Sequence, residues 1–380
     1  EKELGITKED IGVKLTIEEY NDACRKAVMR YTDIWNDLTH KMGYWVDTEE
    51  PYVTYENKYI ESVWWLLKQL DNKDLLYKGY TIQPYSPAAG TGLSSHELNQ
   101  PGAYRDVKDT TIVAQFRTLS DCAGRILEHA GSQKAAELAH LPVDFLAWTT
   151  TPWTLPSNTA LTVGPDIDYS LVLTTNRYTD EQGLVILASD LVGKHFEGKK
   201  APKHEIIAQI KGTDLCGARY EQLLDWAEPM ESVEQAYRVI PGDFVTTEDG
   251  TGIVHTAPTF GADDARVALA AGVPPMLIDD GTGHGVPLVD MQGRFRAGVG
   301  PFAGRFVKQE YYDDADEAPE RSVDVEIAIL LKERGQAFLV EKYEHNYPHC
   351  WRTDKPVLYY PLDSWFVRAT AAKERMQELN

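Results

Sequence analysis

The sequence predicts an α+β fold: an antiparallel, barrel-like β domain with peripheral helices, set between helical segments at either end. Three observations carry this. From about Asp144 onward, short β-branched and aliphatic runs are punctuated by Gly, Pro, Asn and Asp at the spacing of an antiparallel sheet. Before that point apolar residues recur at helical period. The chain is 380 residues long with 43% hydrophobic residues, enough to bury a large core divided into two or more units.

In chain order, Thr16-Ile17-Glu18-Glu19 reads as a capping box. Ile17, Tyr20, Cys24, Ala27, Val28, Tyr31, Ile34, Trp35 and Leu38 follow on one helical stripe, which makes Cys24 a packed core thiol. Met42-Gly43 ends that helix, and Ile60, Val63, Trp64, Leu67 and Leu70 mark a second one between Tyr55 and Leu70, with Trp64-Trp65 read as core. The predicted strands are Phe145–Trp148, Ala160–Val163, Tyr169–Thr174, Leu184–Leu187, Ile206–Ile210, Phe244–Thr247 and Gly252–His255. Helices are expected at roughly 188–195 and 262–271. Gln309–Glu320 is the most acidic stretch and reads as a solvated loop; Gly281–Gly285 lacks the lysine of a phosphate loop and reads as a turn.

Composition excludes several classes. No apolar run approaches the ~20 residues needed to span a bilayer, so no membrane partner is expected and cytoplasm is the default. Cys24, Cys122, Cys216 and Cys350 are scattered with no CxxC pair, which argues against a disulfide framework. A formal charge of −21 argues against a broad basic footprint for nucleic acid, though not against a local one. The chain opens without methionine and stops within an apparent helix, as an excised fragment would.

Two stretches carry chemistry. In Trp148-Thr149-Thr150-Thr151-Pro152-Trp153-Thr154-Leu155-Pro156-Ser157-Asn158 an apolar strand runs into three hydroxyls, and Pro152 stops the ladder because it brings no N–H. Hydroxyls and backbone N–H groups at a strand end can converge on a polar ligand. In Gly250–Asp264 the order is two glycines, a strand ending at His255, Pro258 as an interruption, and Phe260-Gly261 leading into a helix whose first turn holds Asp264.

Both stretches, in this order, resemble the editing-domain motifs of isoleucyl-tRNA synthetase, a domain inserted into a class I catalytic domain. Valyl and leucyl enzymes usually carry an arginine in the threonine peptide, where this chain has Trp153 or its neighbours. The resemblance implies residues 1–78 as a connecting segment, 79–340 as the editing insertion with its core at about 141–300, and 341–380 as a return toward a Rossmann catalytic domain. Tyr347–Arg352 and Ser364–Arg368 would belong to that return. The His-Ile-Gly-His and Lys-Met-Ser-Lys-Ser signatures of the ATP site are absent from the sequence, so no adenylation chemistry is expected. Many bacterial members bind zinc through two cysteine pairs, near Pro84–Thr91 and near Cys350–Thr353. Here only Cys350 remains, so neither metal nor cofactor is expected, because structural zinc takes four N/S ligands.

The implied function is hydrolytic proofreading of a valine ester on the tRNA(Ile) 3′ end, or of valyl-adenylate, with the rest of the synthetase in cis. Thr149, Thr150 and Thr151 would surround the ester and the terminal ribose, with Thr154 and Asn158 completing the polar rim. Trp148, Gly252 and Phe260 would line the substrate. Asp264, nine residues after His255, matches the aspartate that pairs with the α-ammonium. For His255 three roles stand: a satisfied strand-end histidine, a general base, or a wall that limits side-chain size, the last favoured by the resemblance. The sequence offers no nucleophile elbow or triad, so a water positioned by threonine hydroxyls and by the substrate's own vicinal hydroxyl is the expected attacker. Two rivals remain: a module that binds the tRNA acceptor end without hydrolysis, and a free-standing deacylase.

Overall fold

The computed structural model describes residues 2–7, 10–197, 201–313 and 318–380. The chain divides into two compact units, one formed by Glu1–Tyr77 with Phe366–Asn380 and the other by Lys78–Trp365.

The first unit holds α1 (Ile17–Met29), α2 (Thr32–Lys41), α3 (Asn57–Asp71) and the terminal α11 (Lys373–Leu379). The expected capping box is present: Glu19 N–H donates to Thr16 Oγ1 and the Glu19 carboxylate accepts from Thr16 N–H at 3.0 Å. The single helix expected through Leu38 is broken at Arg30 and Tyr31. A larger departure concerns burial. None of α1, α2 and α3 contains a buried residue, Cys24 is exposed, and Trp64 and Trp65 lie on the surface. The apolar stripe read from the sequence is real, but among the described residues nothing buries it.

The second unit opens with β1 (Leu76–Ser86) and the two-residue β2 (Thr91–Gly92), which form a small sheet with β14 (Leu358–Val367). Beyond α4 (Ser95–Leu98) comes the main sheet, nine-stranded among the described residues. Its strands are β3 (Tyr104–Arg117), β4 (Val143–Thr149), β5 (Ala160–Val163), β6 (Asp168–Thr175), β7 (Gln182–Ala188), β8 (His204–Lys211), β9 (Arg238–Pro241), β10 (Ile253–Thr256) and β13 (Ala337–Pro348). Around it lie α5 (Ser120–His129), α6 (Gln133–Glu137), α7 (Val192–Phe196), α8 (Gly212–Leu215), α9 (Ala262–Ala271) and α10 (Val323–Glu333), with a hairpin of β11 (Leu277–Asp279) and β12 (Gly285–Pro287).

The sheet corrects the expected antiparallel barrel. It is an open sheet of mixed direction, because β4 runs parallel to both β7 and β10, and β5 runs parallel to β9. Strands distant in sequence and joined by helices can pair this way, whereas hairpin neighbours cannot. One edge of β4 pairs with β3 along its length, from Asp144↔Arg117 to Thr149↔Ile112. The other edge pairs first with β7, over Val143–Phe145, and then at Trp148 with Val254 of β10. The sheet therefore divides at the end of β4.

Two local expectations also change. Phe244–Thr247 is a turn and loop after β9, since the ladder ends at Pro241, which has no N–H to give. The 188–195 helix begins as a 3-10 turn, Ser189–Leu191, before α7. Gly281–Gly285 is indeed the turn of the β11–β12 hairpin, tied by Asp279 Oδ1 to the Gly281 and Gly283 N–H groups, each at 2.8 Å. Of the acidic stretch, residues 314–317 lie outside the described residues; Glu310 and Asp313 are exposed, but Tyr311 is buried and donates to Pro356 O at 2.9 Å.

Candidate active site

Beyond Thr149 the chain turns through a 3-10 segment, Pro152–Ser157, that is buried throughout. Thr154 locks this turn twice, its N–H donating to Thr151 O at 3.0 Å and its hydroxyl donating to the same oxygen at 2.8 Å. Thr149 Oγ1 accepts from Thr151 N–H at 3.1 Å and lies 3.3 Å from Thr151 Oγ1. The three threonines, alike in sequence, are therefore unlike in place. Thr149 and Thr151 spend their hydroxyls on each other and on the backbone, while among the described residues Thr150 has no hydrogen-bond partner for its own.

The second motif arrives on the adjacent strand. Gly250 and Gly252 both have φ of 72°, and a Cβ on Gly250 would stand 2.9 Å from Trp148 Cε3 while one on Gly252 would stand 2.3 Å from Ala188 Cβ. Only glycine satisfies both the backbone and the space. His195 Nε2–H donates to Gly250 O at 2.7 Å and Tyr169 O–H donates to Gly252 O at 2.7 Å, so the turn is tied to α7 on one side and to β6 on the other. Burial pushes the His195 pKa down, which keeps that ring neutral.

His255 is buried at the end of β10 with both ring nitrogens committed. Tyr220 O–H donates to Asn158 Oδ1 at 2.7 Å, which turns the Asn158 amide nitrogen toward Ala160 O at 2.7 Å and His255 Nδ1 at 2.9 Å. Nδ1 must then accept, so Nε2 carries the hydrogen and donates it to Thr154 Oγ1 at 3.0 Å. Burial lowers the His255 pKa to about 3. The ring is neutral and singly oriented, with no free lone pair on either nitrogen. Asn158 corrects one expectation: it lies behind His255, 3% exposed and off the cavity, because its amide is used to fix the histidine.

Asp264, in the first turn of α9, folds back over Gly261 so that its Oδ2 accepts from Ala257 N–H at 2.8 Å. A Cβ at Gly261 would stand 2.7 Å from the Asp264 carboxyl carbon, which is why the cap position has no side chain. The half-buried carboxyl titrates at about 7, raised by desolvation against the lowering effect of the Ala257 bond. Phe260 packs edge-on against Trp153 with ring centroids 5.0 Å apart.

These groups enclose a cavity of about 370 Å³ where the sheet divides. Trp148, Thr149, Thr150, Thr151, Thr154, Gly252, His255, Phe260 and Asp264 all line it. The sequence reading missed Phe244, Thr246 and Asp249, which also line it. Phe244 and Thr246 fall in the Phe244–Thr247 run that the sequence assigns to a strand, and Asp249 lies just beyond it. Asp249 pairs with Lys194, and Tyr343 O–H reaches Asp249 Oδ2 at 3.5 Å while its ring meets Trp148 edge-on at 5.3 Å. The cavity thus offers two carboxyl groups, Asp264 and the Lys194-paired Asp249, with uncommitted hydroxyl capacity and a rigid imidazole face.

The residues around Cys350 do not fit the zinc site that many bacterial members carry. Cys350 is fully buried against Leu93, Leu98 and Val357, and although burial raises its pKa, hydrogen bonds from Ser86 and Thr353 hold it below the ordinary value. Those two hydroxyls stand where a cation would need sulfur or nitrogen. Among the described residues no group of three or more His, Cys, Asp or Glu could hold a metal ion.

The sequence profile of the class I tRNA synthetases (I, L, M and V) matches residues 1–380. The isoleucine–tRNA ligase of Cytophaga hutchinsonii is 57% identical over 402 residues, covering 100% of this chain and 35% of that protein. The Bacteroides fragilis ligase is 56% identical over 410 residues, with 100% and 34% covered. At 43% identity the Clostridium tetani ligase still matches 100% of the chain, with 31% of its own length. The chain therefore spans about a third of the length of these relatives. Among solved structures, the editing domain of the P. knowlesi cytosolic leucyl-tRNA synthetase aligns over 61% of this chain and 96% of its own, with 12% identity and a TM-score of 0.40.

Proposed function

This chain belongs to the class I tRNA synthetases, and from that premise we propose that it is a proofreading domain that hydrolyses valine mischarged onto tRNA(Ile), with valyl-adenylate as a second substrate. The observation that carries the reading is the facing of Asp264 and the threonine peptide across one small cavity. An aminoacyl ester has a cationic amine two atoms from its reacting carbonyl oxygen, so it needs an anion and hydroxyl or N–H donors at close quarters.

In this reading Asp264 takes the α-ammonium. The ammonium in turn favours the ionised carboxylate and draws its pKa below 7. Thr150, with Thr149 and Thr151, holds the ester and the terminal ribose, and a water attacks the carbonyl carbon from among these hydroxyls and the substrate's vicinal hydroxyl. The carbonyl oxygen gains negative charge, which N–H and hydroxyl donors stabilise, before the ribose oxygen leaves with a proton. His255 is the wall. Its lone pair at Nδ1 already accepts from Asn158, which leaves no site for a proton from water.

The wall gives selectivity by exclusion. Isoleucine carries one methyl more than valine, and forcing a methylene into a packed site costs ~1–3 kcal/mol. We place the remainder of the synthetase, with its Rossmann catalytic fold, against the uncovered helices of the first unit and the segment between α2 and α3, where Trp45 is 98% exposed. The proposed setting is cytoplasmic.

Single-turnover deacylation tests the reading: the protein should release valine from Val-tRNA(Ile) and leave Ile-tRNA(Ile) charged. Binding of the charged acceptor end with both esters left intact would replace it with a non-catalytic module.

A further inference from the structure

Pro152 has no N–H, so the first donor of the 3-10 turn that follows the threonines is the backbone N–H of Trp153. Its acceptor comes from an element 171 residues away: Asp324 Oδ1, at 2.8 Å, both groups being buried. Asp324 sits in the first turn of α10, where a carboxylate ordinarily serves its own helix. Here that duty falls to Ser322, whose hydroxyl accepts from Val325 N–H, and Asp324 is left to reach outward.

Burial raises the Asp324 pKa to about 6, and a built arrangement of partners opposes that rise. Its Oδ2 lies 3.7 Å from Lys308 Nζ, and Lys308 lies 3.4 Å from Asp109 Oδ2, which also meets His345 Nε2 at 3.2 Å. Lys308 is itself buried, with its ammonium 4.8 Å from the centre of the Tyr347 ring. A buried carboxylate is costly unless paired. Lys308 faces Oδ2, which leaves Oδ1 to the Trp153 N–H and fixes where that N–H stands.

We propose that Asp324 is the positioning residue of the threonine peptide, holding the turn through Trp153 so that Thr154 meets His255 and Thr150 faces the cavity. The chain of contacts is continuous. Trp153 is fixed at its N–H by Asp324 and at its ring by Phe260, the next residue donates its hydroxyl to Thr151 O, and that same hydroxyl receives the His255 hydrogen. Asp324 touches neither the cavity nor any substrate; it acts through the turn. The functional half of this inference rests on the deacylation reading.

Two substitutions separate positioning from bulk structure. Asp324→Asn keeps an acceptor for Trp153 N–H, and Asp324→Leu keeps the volume without one. The leucine variant should lose ~10–100-fold in single-turnover rate constant at saturating Val-tRNA(Ile) with little change in the concentration giving half the maximal rate, since a misplacement near 1 Å costs about that much. The asparagine variant should recover most of the loss, a neutral acceptor being roughly half as strong as a charged one. In parallel, the ring-nitrogen spectrum of His255 should show its Nε2–H exchanging faster with solvent in the leucine variant and as in the parent for asparagine. If the leucine variant does not fold, Lys308→Met/Asp324→Leu removes the charge left alone and is read in the same way. A folded leucine variant with the parent's rate constant and the parent's His255 spectrum overturns the inference. A parent that does not hydrolyse the ester overturns the deacylation reading instead, and the His255 spectrum then decides positioning by itself.

Discussion

The amide nitrogen of Asn158 lies 2.9 Å from Nδ1 of His255, and this contact dictates which nitrogen of the ring holds its hydrogen. Tyr220 sets the amide, the amide sets the imidazole, and the imidazole sets the hydroxyl of Thr154. A side chain so fixed has a defined surface, which a wall requires and a proton shuttle does not.

The ring should therefore stay neutral with hydrogen on Nε2 throughout the ordinary range. Its folded pKa of about 3 lies below the ~6.5 of an unfolded histidine, so the unfolded state binds more protons between those values. This contribution to stability is full above about 6.5 and diminishes as pH falls toward 3. Selective nitrogen labelling should find the His255 shifts flat from pH 8 to about 5, where exposed histidines titrate near ~6.5. A His255 transition near that value would contradict the assignment.

Asp264 has the opposite linkage. Its folded pKa of about 7 exceeds the ~3.9 of an unfolded aspartate, so the folded state binds more protons and stability falls as pH rises from about 4 to 7. Asp264→Asn, which keeps an acceptor for Ala257 N–H, should melt higher than the parent at pH 8 and no higher at pH 4. Asp264→Ala should abolish deacylation, and in the parent the rate at subsaturating ester should rise with pH up to about 7 as the carboxylate ionises. A flat pH profile with normal activity in the alanine variant would remove Asp264 from the site.

The threonines should not be equivalent. Thr150→Val should lower the deacylation rate with little effect on melting, because its hydroxyl supports nothing else in the described structure. Thr149→Val should lower both, since Thr151 N–H loses its acceptor at a cost of ~1 kcal/mol or more. Equal melting losses would show that the free hydroxyl has been misassigned.

The purified protein should hold no stoichiometric zinc, and a chelator should leave its melting unchanged, because Ser86 and Thr353 already serve Cys350. One tightly bound zinc per chain by elemental analysis would overturn this.

Much of the site was legible because its parts are local in sequence. The threonine peptide and the Gly250–Asp264 stretch each announce a strand end and a turn, and α9 begins and ends where glycine and alanine placed it. That the two strands lie side by side, Trp148 against Val254 in parallel, is a long-range pairing that no local period encodes. The same holds for Asp324, whose role is visible only once α10 is packed beside the turn. Asn158 was misread for a related reason: an asparagine near hydroxyls looks like a rim group until Tyr220, 62 residues on, is seen to hold its oxygen. Cys24 and the Trp64-Trp65 pair read as core because periodicity reports an apolar face and not whether anything covers it.

The central claim is that His255 excludes the larger side chain without taking part in proton transfer. His255→Ala removes a volume larger than the methyl that separates isoleucine from valine, and single-turnover rates on Val-tRNA(Ile) and Ile-tRNA(Ile) measure the consequence. The ratio of the isoleucine rate to the valine rate should rise sharply in the variant, even if looser positioning slows both reactions. If instead both rates fall by roughly 10²–10⁴-fold with the ratio unchanged, His255 is the base and the wall account is wrong.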